Sequence, residues 1–304
     1  QSPIALPMWI SLSIISALLL GGYDVLKKVS LRGNAVLPVL YLASVSGALV
    51  FVPFLIISEV APDRLSLLYM PRMALWQHAL TFAKSAIVGA SWLLSYYAMR
   101  YLPITIVSPI RATSPLLTLL GAVTLLGESL GAVQWLGVAV TVIFFWLFSK
   151  TGKLENISFV RNKWMICLYI GTFFAAVSGL YDKYLLANLG IPKNTMQAWF
   201  CLYMPVVLLP FLLLKWWPVR RESKFTFRWT IPLIGLCLAV ADFVYFYALA
   251  EPESLVAIVS ALRRCSVVTP FLFGAIFFRE RHLWRKLIIL CGMIAGVCIV
   301  VMGT

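Results

Sequence analysis

Apolar residues in this chain come in long blocks, not in the alternation of a strand or the single stripe of a surface helix. Ten blocks can be marked, at residues 8–27, 36–57, 77–99, 104–126, 131–148, 164–186, 195–216, 229–249, 254–277 and 285–303. Each is close to the ~20 residues that cross a ~30 Å hydrocarbon core. The pattern predicts an all-α polytopic membrane protein with ten transmembrane helices. Most connections are short, which favours neighbouring helices in one bundle. The longer 58–76 connection has room for a surface turn or a short interfacial helix, with Trp76 as its anchor. Segment 149–163, "SKTGKLENISFVRNK", is polar and central, and reads as a linker between a first five-helix repeat, 1–148, and a second, 164–304.

The two halves resemble each other. "SPIRATSPLLTLLGAVTLLGE" (108–128) aligns without gaps on "SALRRCSVVTPFLFGAIFFRE" (260–280), pairing Ser108 with Ser260, Arg111 with Arg263, Ser114 with Ser266 and Glu128 with Glu280. Tyr97-Ala98 matches Tyr247-Ala248, and "GYDVLKK" (22–28) lies against "LYDKYLL" (180–186), pairing Tyr23-Asp24 with Tyr181-Asp182. Three matches in the same order argue for an internal duplication. Five helices is an odd number, so the copies are expected in opposite orientations, the inverted repeat of many secondary transporters.

Composition agrees with a membrane environment. Of 304 residues, 62% are apolar and 12% charged, half the charge of an ordinary soluble domain. The net charge of +14 is explained by basic loops on one membrane face, so nucleic acid is not an expected partner. Seventeen basic residues, Lys27, Lys28 and Lys286 among them, fall toward connections on one side, against Arg64, Arg72, Lys183 and Lys193 on the other. The positive-inside rule then places both termini outside, in what is expected to be a bacterial inner (plasma) membrane. The six cysteines lie inside apolar blocks with no CxxC pair and read as small buried residues. No cofactor or metal ligand set is apparent. His78 and His282 sit at loop edges and read as solvated, Glu128 and Glu280 as interfacial caps. An integral membrane enzyme would need clustered His, Asp or Glu at one interface, which the scattered histidines argue against.

The chemistry lies in the charges inside the blocks. An arginine at mid-span costs about 2.5–3.5 kcal/mol on the translocon scale, and the twelve Leu, Ile, Val and Phe residues of 255–277 return about 4–7 kcal/mol. Arg263 and Arg264 nearly cancel that gain. Arg111 and Arg263 each fall roughly 12–14 Å from a span end, close to mid-depth. Steps of three put Thr105, Ser108, Arg111 and Ser114 near one helix face, and Ser260, Arg263 and Ser266 near another. Asp242 is the expected intramembrane partner, with Glu251 or Glu253 near the outer mouth. One acid against Arg111, Arg263, Arg264 and Lys84 leaves a positive surplus, which suits a carboxylate or phosphate held by a guanidinium fork. Trp92 and Tyr245 are the aromatic residues expected beside a substrate. Tyr23, Asp24, Tyr181 and Asp182 stand near opposite mouths, as gates with the adjacent lysines or as plain interfacial anchors.

The repeated ten-helix plan resembles the drug/metabolite transporter superfamily, in particular its EamA-like members. The resemblance rests on "GGYDVLKK" closing the first helix, Gly127-Glu128 closing the fourth and followed by "VQWLG" (133–137), and Arg279-Glu280 with a late Gly296 in the second copy. It covers essentially the whole chain. It implies a carrier that moves a small metabolite through a central cavity by alternating access. Members of the superfamily handle amino acids, choline-like cations, nucleotide sugars and sugar phosphates. Its plastid sugar-phosphate branch uses basic residues on the fourth and ninth helices, a placement similar to Arg111, Arg263 and Arg264. Members commonly keep both termini in the cytoplasm, and the loop charges here depart from that. The expectation is a secondary transporter for a small anionic or zwitterionic metabolite, by exchange or proton coupling through Asp242. The alternatives are a flippase for an anionic lipid headgroup, or a drug or amino-acid exporter in which the arginines are only structural.

Overall fold

A computed structural model describes residues 8–61, 68–126, 131–152, 161–250, 262–263, 265–277 and 283–302. Among these residues all regular structure is helical. In chain order the helices are α1 (Met8–Leu31), α2 (Val36–Val60), α3 (Leu75–Tyr101), α4 (Ile104–Arg111), α5 (Ser114–Leu126), α6 (Ala132–Gly152), α7 (Lys163–Lys183), α8 (Lys193–Phe211), α9 (Thr230–Ala250), α10 (Val268–Phe277) and α11 (Leu283–Met302). Single π-helical turns extend α7 over Tyr184–Asn188 and α8 over Leu212–Trp216. The all-α membrane class holds. Four segments, Met8–Leu31, Val36–Val60, Lys163–Leu186 and Lys193–Trp216, are long and apolar enough to cross a bilayer, and Ala132–Phe148, Thr230–Tyr245 and Cys265–Phe277 are shorter apolar helices.

Two expected spans are not continuous. The fourth block, 104–126, divides between α4 and α5 at a turn formed by Ala112 and Thr113. Pro115 has no N–H to give the Arg111 carbonyl, so the i→i−4 ladder fails there. The Thr113 N–H donates to the Ile110 carbonyl at 3.1 Å, and the Leu116 N–H to the Thr113 carbonyl at 2.9 Å, both tightened three-residue bonds. In the ninth block a 3₁₀ turn at Cys265–Val267 precedes α10. The gapless repeat alignment puts Thr113 opposite Cys265 and Ser114 opposite Ser266, so the 3₁₀ turn of the second copy lies beside the position of the first copy's turn.

The chain forms two compact units. One contains Gln1–Val25, Tyr101–Tyr169 and Cys237–Thr304, the other Leu26–Arg100 and Ile170–Leu236. Each draws on both halves of the sequence. In the first unit α6 packs along α11, and α4 contacts α10 and α11. Ile104, Ile106, Val107 and Ile110 are buried essentially completely. The α6–α11 seam is built on glycine. A Cβ on Gly137 would meet the Val300 amide nitrogen at 2.6 Å, and one on Gly296 the Thr141 amide nitrogen at 2.7 Å. Lipid offers helices no hydrophobic drive to associate, so close backbone approach through small residues supplies the attraction instead.

In the second unit α2 packs along α8. Gly235, at the start of α9, lies against α2 so closely that a Cβ would sit 2.4 Å from the Ala43 carbonyl oxygen. Buried hydroxyls bond to the backbone. Ser91 donates to the Gly171 carbonyl at 2.7 Å, and Ser85 reaches the Thr81 carbonyl of its own helix at 2.9 Å and the Phe200 carbonyl at 3.3 Å. Gly33 and Gly190 adopt φ of 64° and 63° in the turns after α1 and after the α7 extension, the left-handed conformation that ends helices at low cost. In the 58–76 connection Ser58 accepts from the Met70 N–H at 3.1 Å, and Trp76 is half exposed.

Three loop assignments are corrected. Lys27 and Lys286 are fully buried, not on loops. Lys28 donates to the Met99 carbonyl at 2.8 Å. The span ends were set too early on one side and too late on the other, because α1 runs on to Leu31 and α11 begins at Leu283. These three residues therefore drop out of the loop count. Gly296→Ala should destabilise the protein by about 1–3 kcal/mol, because a Cβ there would meet not only Thr141 Oγ1 but also the Thr141 amide nitrogen, a backbone atom that cannot move aside. Gly47→Ala, whose nearest neighbour would be the Gly235 Cα at 3.6 Å, should be near neutral. Thermal unfolding of the two variants in detergent measures the contrast.

Candidate functional site

The break between α4 and α5 positions the site. Arg111 is the last residue of α4, and its Nη1 donates to Asp24 Oδ1 of α1 at 2.9 Å. Both side chains are mostly buried, 27% and 19% exposed. They line a cavity of about 160 Å³ with Leu20, Tyr23, Ser108, Ala112, Ser266 and Val267. The lining draws on the first helix and on both repeat-related breaks, all within the first unit. The volume equals the liquid share of about five waters. Ser108 is 3% exposed, and its Oγ has no hydrogen-bond partner among the described residues. A buried hydroxyl without a partner costs free energy, and this one stands at the cavity wall, whereas the similarly unpartnered Thr195 Oγ1 does not.

Helix α9 holds α1 in place. Ser16 Oγ donates to the Ala241 carbonyl at 2.8 Å, and Cys237 Sγ donates to the Leu19 carbonyl at 3.0 Å. On the cavity side Gly21 lets α1 approach the second break. A Cβ there would lie 2.3 Å from Thr269 Cβ and 2.8 Å from the Ser266 carbonyl oxygen. At Gly22 the nearest atom would be Cys237 Sγ at 4.0 Å.

A second ion pair occupies the same unit. Arg263 Nη2 donates to Asp242 Oδ1 of α9, the partner expected from sequence. Its guanidinium lies 4.0 Å from the centre of the Tyr245 ring, a cation–π contact. Tyr245 in turn packs against Trp9 and Ala248. In the second unit Lys84, 6% exposed, puts Nζ 2.7 Å from Asp182 Oδ1 and 4.9 Å above the Phe200 ring. Trp92 meets the same Phe200 edge-on at 6.0 Å. Tyr181 donates its hydroxyl to the Leu80 carbonyl at 3.3 Å.

These pairings revise the charge arithmetic of the sequence. Asp24 and Asp182 were expected near the mouths, yet each bonds a cation inside a helix bundle. Every described intramembrane cation of the candidate set therefore has a carboxylate beside it. Asp24 sits seven residues before the end of α1, about 10 Å into the helix. The repeated Tyr-Asp pair was the available signal, and the span end set at residue 27 hid its depth. Lys286 was missed as well. It is wholly buried, and its Nζ donates to Thr105 Oγ1 at 2.8 Å, on the polar face that carries Arg111. His78 is partly buried and packed, not a freely solvated loop residue. Its Nδ1 lies 2.9 Å from the Tyr203 hydroxyl, and its ring meets Trp199 edge-on at 4.6 Å. Arg264, Glu251, Glu253, Glu128, Glu280 and His282 fall outside the described residues.

The profile of the EamA-like transporter family matches residues 7–150 and again residues 162–302. The chain belongs to the EamA-like transporter family. The double match establishes the two-repeat architecture, and members of this family are membrane transporters of the drug/metabolite type, not enzymes. Such a transporter implies a small-molecule substrate and a lipid surround. No curated protein matches the sequence. Among solved structures, one described only as "Crystal structure of protein" shares 16% identity, with a TM-score of 0.58 over 95% of this chain and 97% of that one. At that identity the likeness concerns the fold alone.

Close approach of α1 to the second break generates a direct test. Gly21→Ala should lower transport at least about tenfold, since Ser266 offers a backbone oxygen that cannot yield. Gly22→Ala, one residue away, should keep wild-type transport. Uptake into proteoliposomes at matched protein incorporation reads both.

Proposed function

We propose that this EamA-like protein is a secondary transporter for a small zwitterionic metabolite, which binds across the Asp24–Arg111 pair and crosses by alternating access. The observation that carries the proposal is the company Arg111 keeps. Its guanidinium faces the cavity already bonded to Asp24. A simple anion entering there would gain Arg111 but meet the Asp24 carboxylate at close range. A zwitterion supplies a carboxylate for Arg111 and a cationic group for Asp24, so each side chain exchanges one partner for another. Ser108 Oγ offers a further hydroxyl to the bound molecule.

Chemistry and geometry support the same cycle. Between transport events the two side chains pair with each other, which keeps a lone charge from being stranded in a water-poor site. Substrate parts them, and its departure restores the pair. The turn at Ala112 and Thr113 interrupts the hydrogen-bond ladder beside the cavity, and the 3₁₀ turn at Cys265–Val267 departs from α-helical geometry across from it, so the cavity wall has a flexing point built in. The cavity is the size of a small metabolite and well below the ~300–1,000 Å³ of drug-sized pockets. Asp242–Arg263 and Lys84–Asp182 support the frame, with Tyr245 and Phe200 covering their cations.

Counterflow into proteoliposomes, with a panel of small zwitterions and their carboxylate-only and amine-only analogues, tests the proposal. Arg111→Gln should lower zwitterion transport about 100-fold, the worth of a charge-assisted contact of ~3 kcal/mol, with membrane insertion intact. Asp24→Asn should shift preference toward the carboxylate-only compounds, because Arg111 then lacks its companion charge. Wild-type rates and selectivity in both variants would overturn the assignment and leave the pair a structural one.

A further inference from the structure

We infer that the segment from Lys215 to Trp229, together with Arg32, is a binding surface for anionic phospholipid headgroups. It lies in the second unit, at the end of α8. Lys215, Arg220, Arg221 and Lys224 are all exposed, and so is Arg32 on the turn after α1. Glu222 is the single acid among residues 215–229. Among the described residues no carboxylate pairs with Arg32, Lys215, Arg221 or Lys224. Unpaired cations of this density attract an anionic surface, with about 1 kcal/mol per residue as the usual scale, roughly fivefold each.

Aromatic residues identify that surface as a bilayer. Trp217, Phe227 and Trp229 are half or more exposed. Trp217 follows closely on Leu213 and Leu214, which are exposed at the end of an apolar helix long enough to span. Basic side chains therefore begin where the lipid-facing apolar surface stops. Amphipathic rings favour that headgroup level. Nucleic acid or an acidic protein would not explain bulky apolar side chains continuous with a membrane span.

The segment is also held in shape. Trp216 Nε1 donates to the Ser223 carbonyl at 2.9 Å. Asn34 Nδ2 donates to the Thr226 carbonyl at 2.7 Å, and the Thr226 N–H donates back to Asn34 Oδ1 at 2.9 Å. Arg228 Nη1 donates to the Val29 carbonyl at 2.6 Å. Arg220 stacks on Trp217 with 4.5 Å between guanidinium and ring centre. The bonds from Asn34 and Arg228 tie the segment to the turn that carries Arg32, so its cations are presented on a fixed frame with little ordering left to do on binding.

Native mass spectrometry of the full chain in detergent, titrated with phosphatidylglycerol or phosphatidylcholine, tests this directly. The wild type should retain phosphatidylglycerol at least about tenfold better. Arg221→Gln with Lys224→Gln should lower that preference at least about threefold, while Arg221→Lys with Lys224→Arg should keep it. Glu222→Gln, which removes the one acid, should raise it. Equal retention of the two lipids by the wild type, or an unchanged preference after the charges are removed, would overturn the inference. So would displacement of bound phosphatidylglycerol by soluble glycerol phosphate at matching concentration, since that would mark a phosphate site instead of a lipid surface.

Discussion

A charge inside a bilayer must be met by another charge or by a ring of polar atoms, and much of this protein's interior is organised by that requirement. Asp24 meets Arg111, Asp242 meets Arg263 and Asp182 meets Lys84. Lys27 lies 5.5 Å from the centre of the Tyr96 ring, and Lys286 donates to Thr105. All but Asp242–Arg263 join helices distant in sequence. Without its partner, each group would stand as an uncompensated charge in a water-poor interior, so assembly and charge satisfaction are coupled.

Close packing allows those partners to meet. Gly21, Gly137, Gly235 and Gly296 remove side chains where one backbone presses on another. The helices can then come near enough for short polar side chains, Ser16 and Ser91 among them, to reach a neighbouring carbonyl. At the two breaks the order is reversed, because lost backbone bonds open space in place of closing it. The cavity lies where tight α1 packing and the loosened ladder adjoin, which is where a transporter needs both precision and movement.

Fold class was legible because block length and uniform apolarity survive any error in the ends. The duplication was legible because polar residues are rare enough in such a chain for repeated ones to stand out. Depth was not legible to within a turn. Placing the end of the first span at residue 27 instead of Leu31 put Asp24 at a mouth and Lys27 on a loop; that error, with Asp182 also set at a mouth, produced the apparent surplus of positive charge. Both helix breaks were missed although Pro115 was in view, since proline inside a membrane helix is common and only the surrounding packing decides whether the ladder parts. The Asp242–Arg263 pair was legible because Asp242 is the one acid deep within its block.

The central claim is that the Asp24–Arg111 pair opens to receive the substrate, and a structure of the protein with a transported zwitterion bound tests it most directly. The account predicts the ligand carboxylate on Arg111, its cationic group on Asp24, and the two side chains parted from their present 2.9 Å. A ligand bound elsewhere with that pair still closed would contradict it.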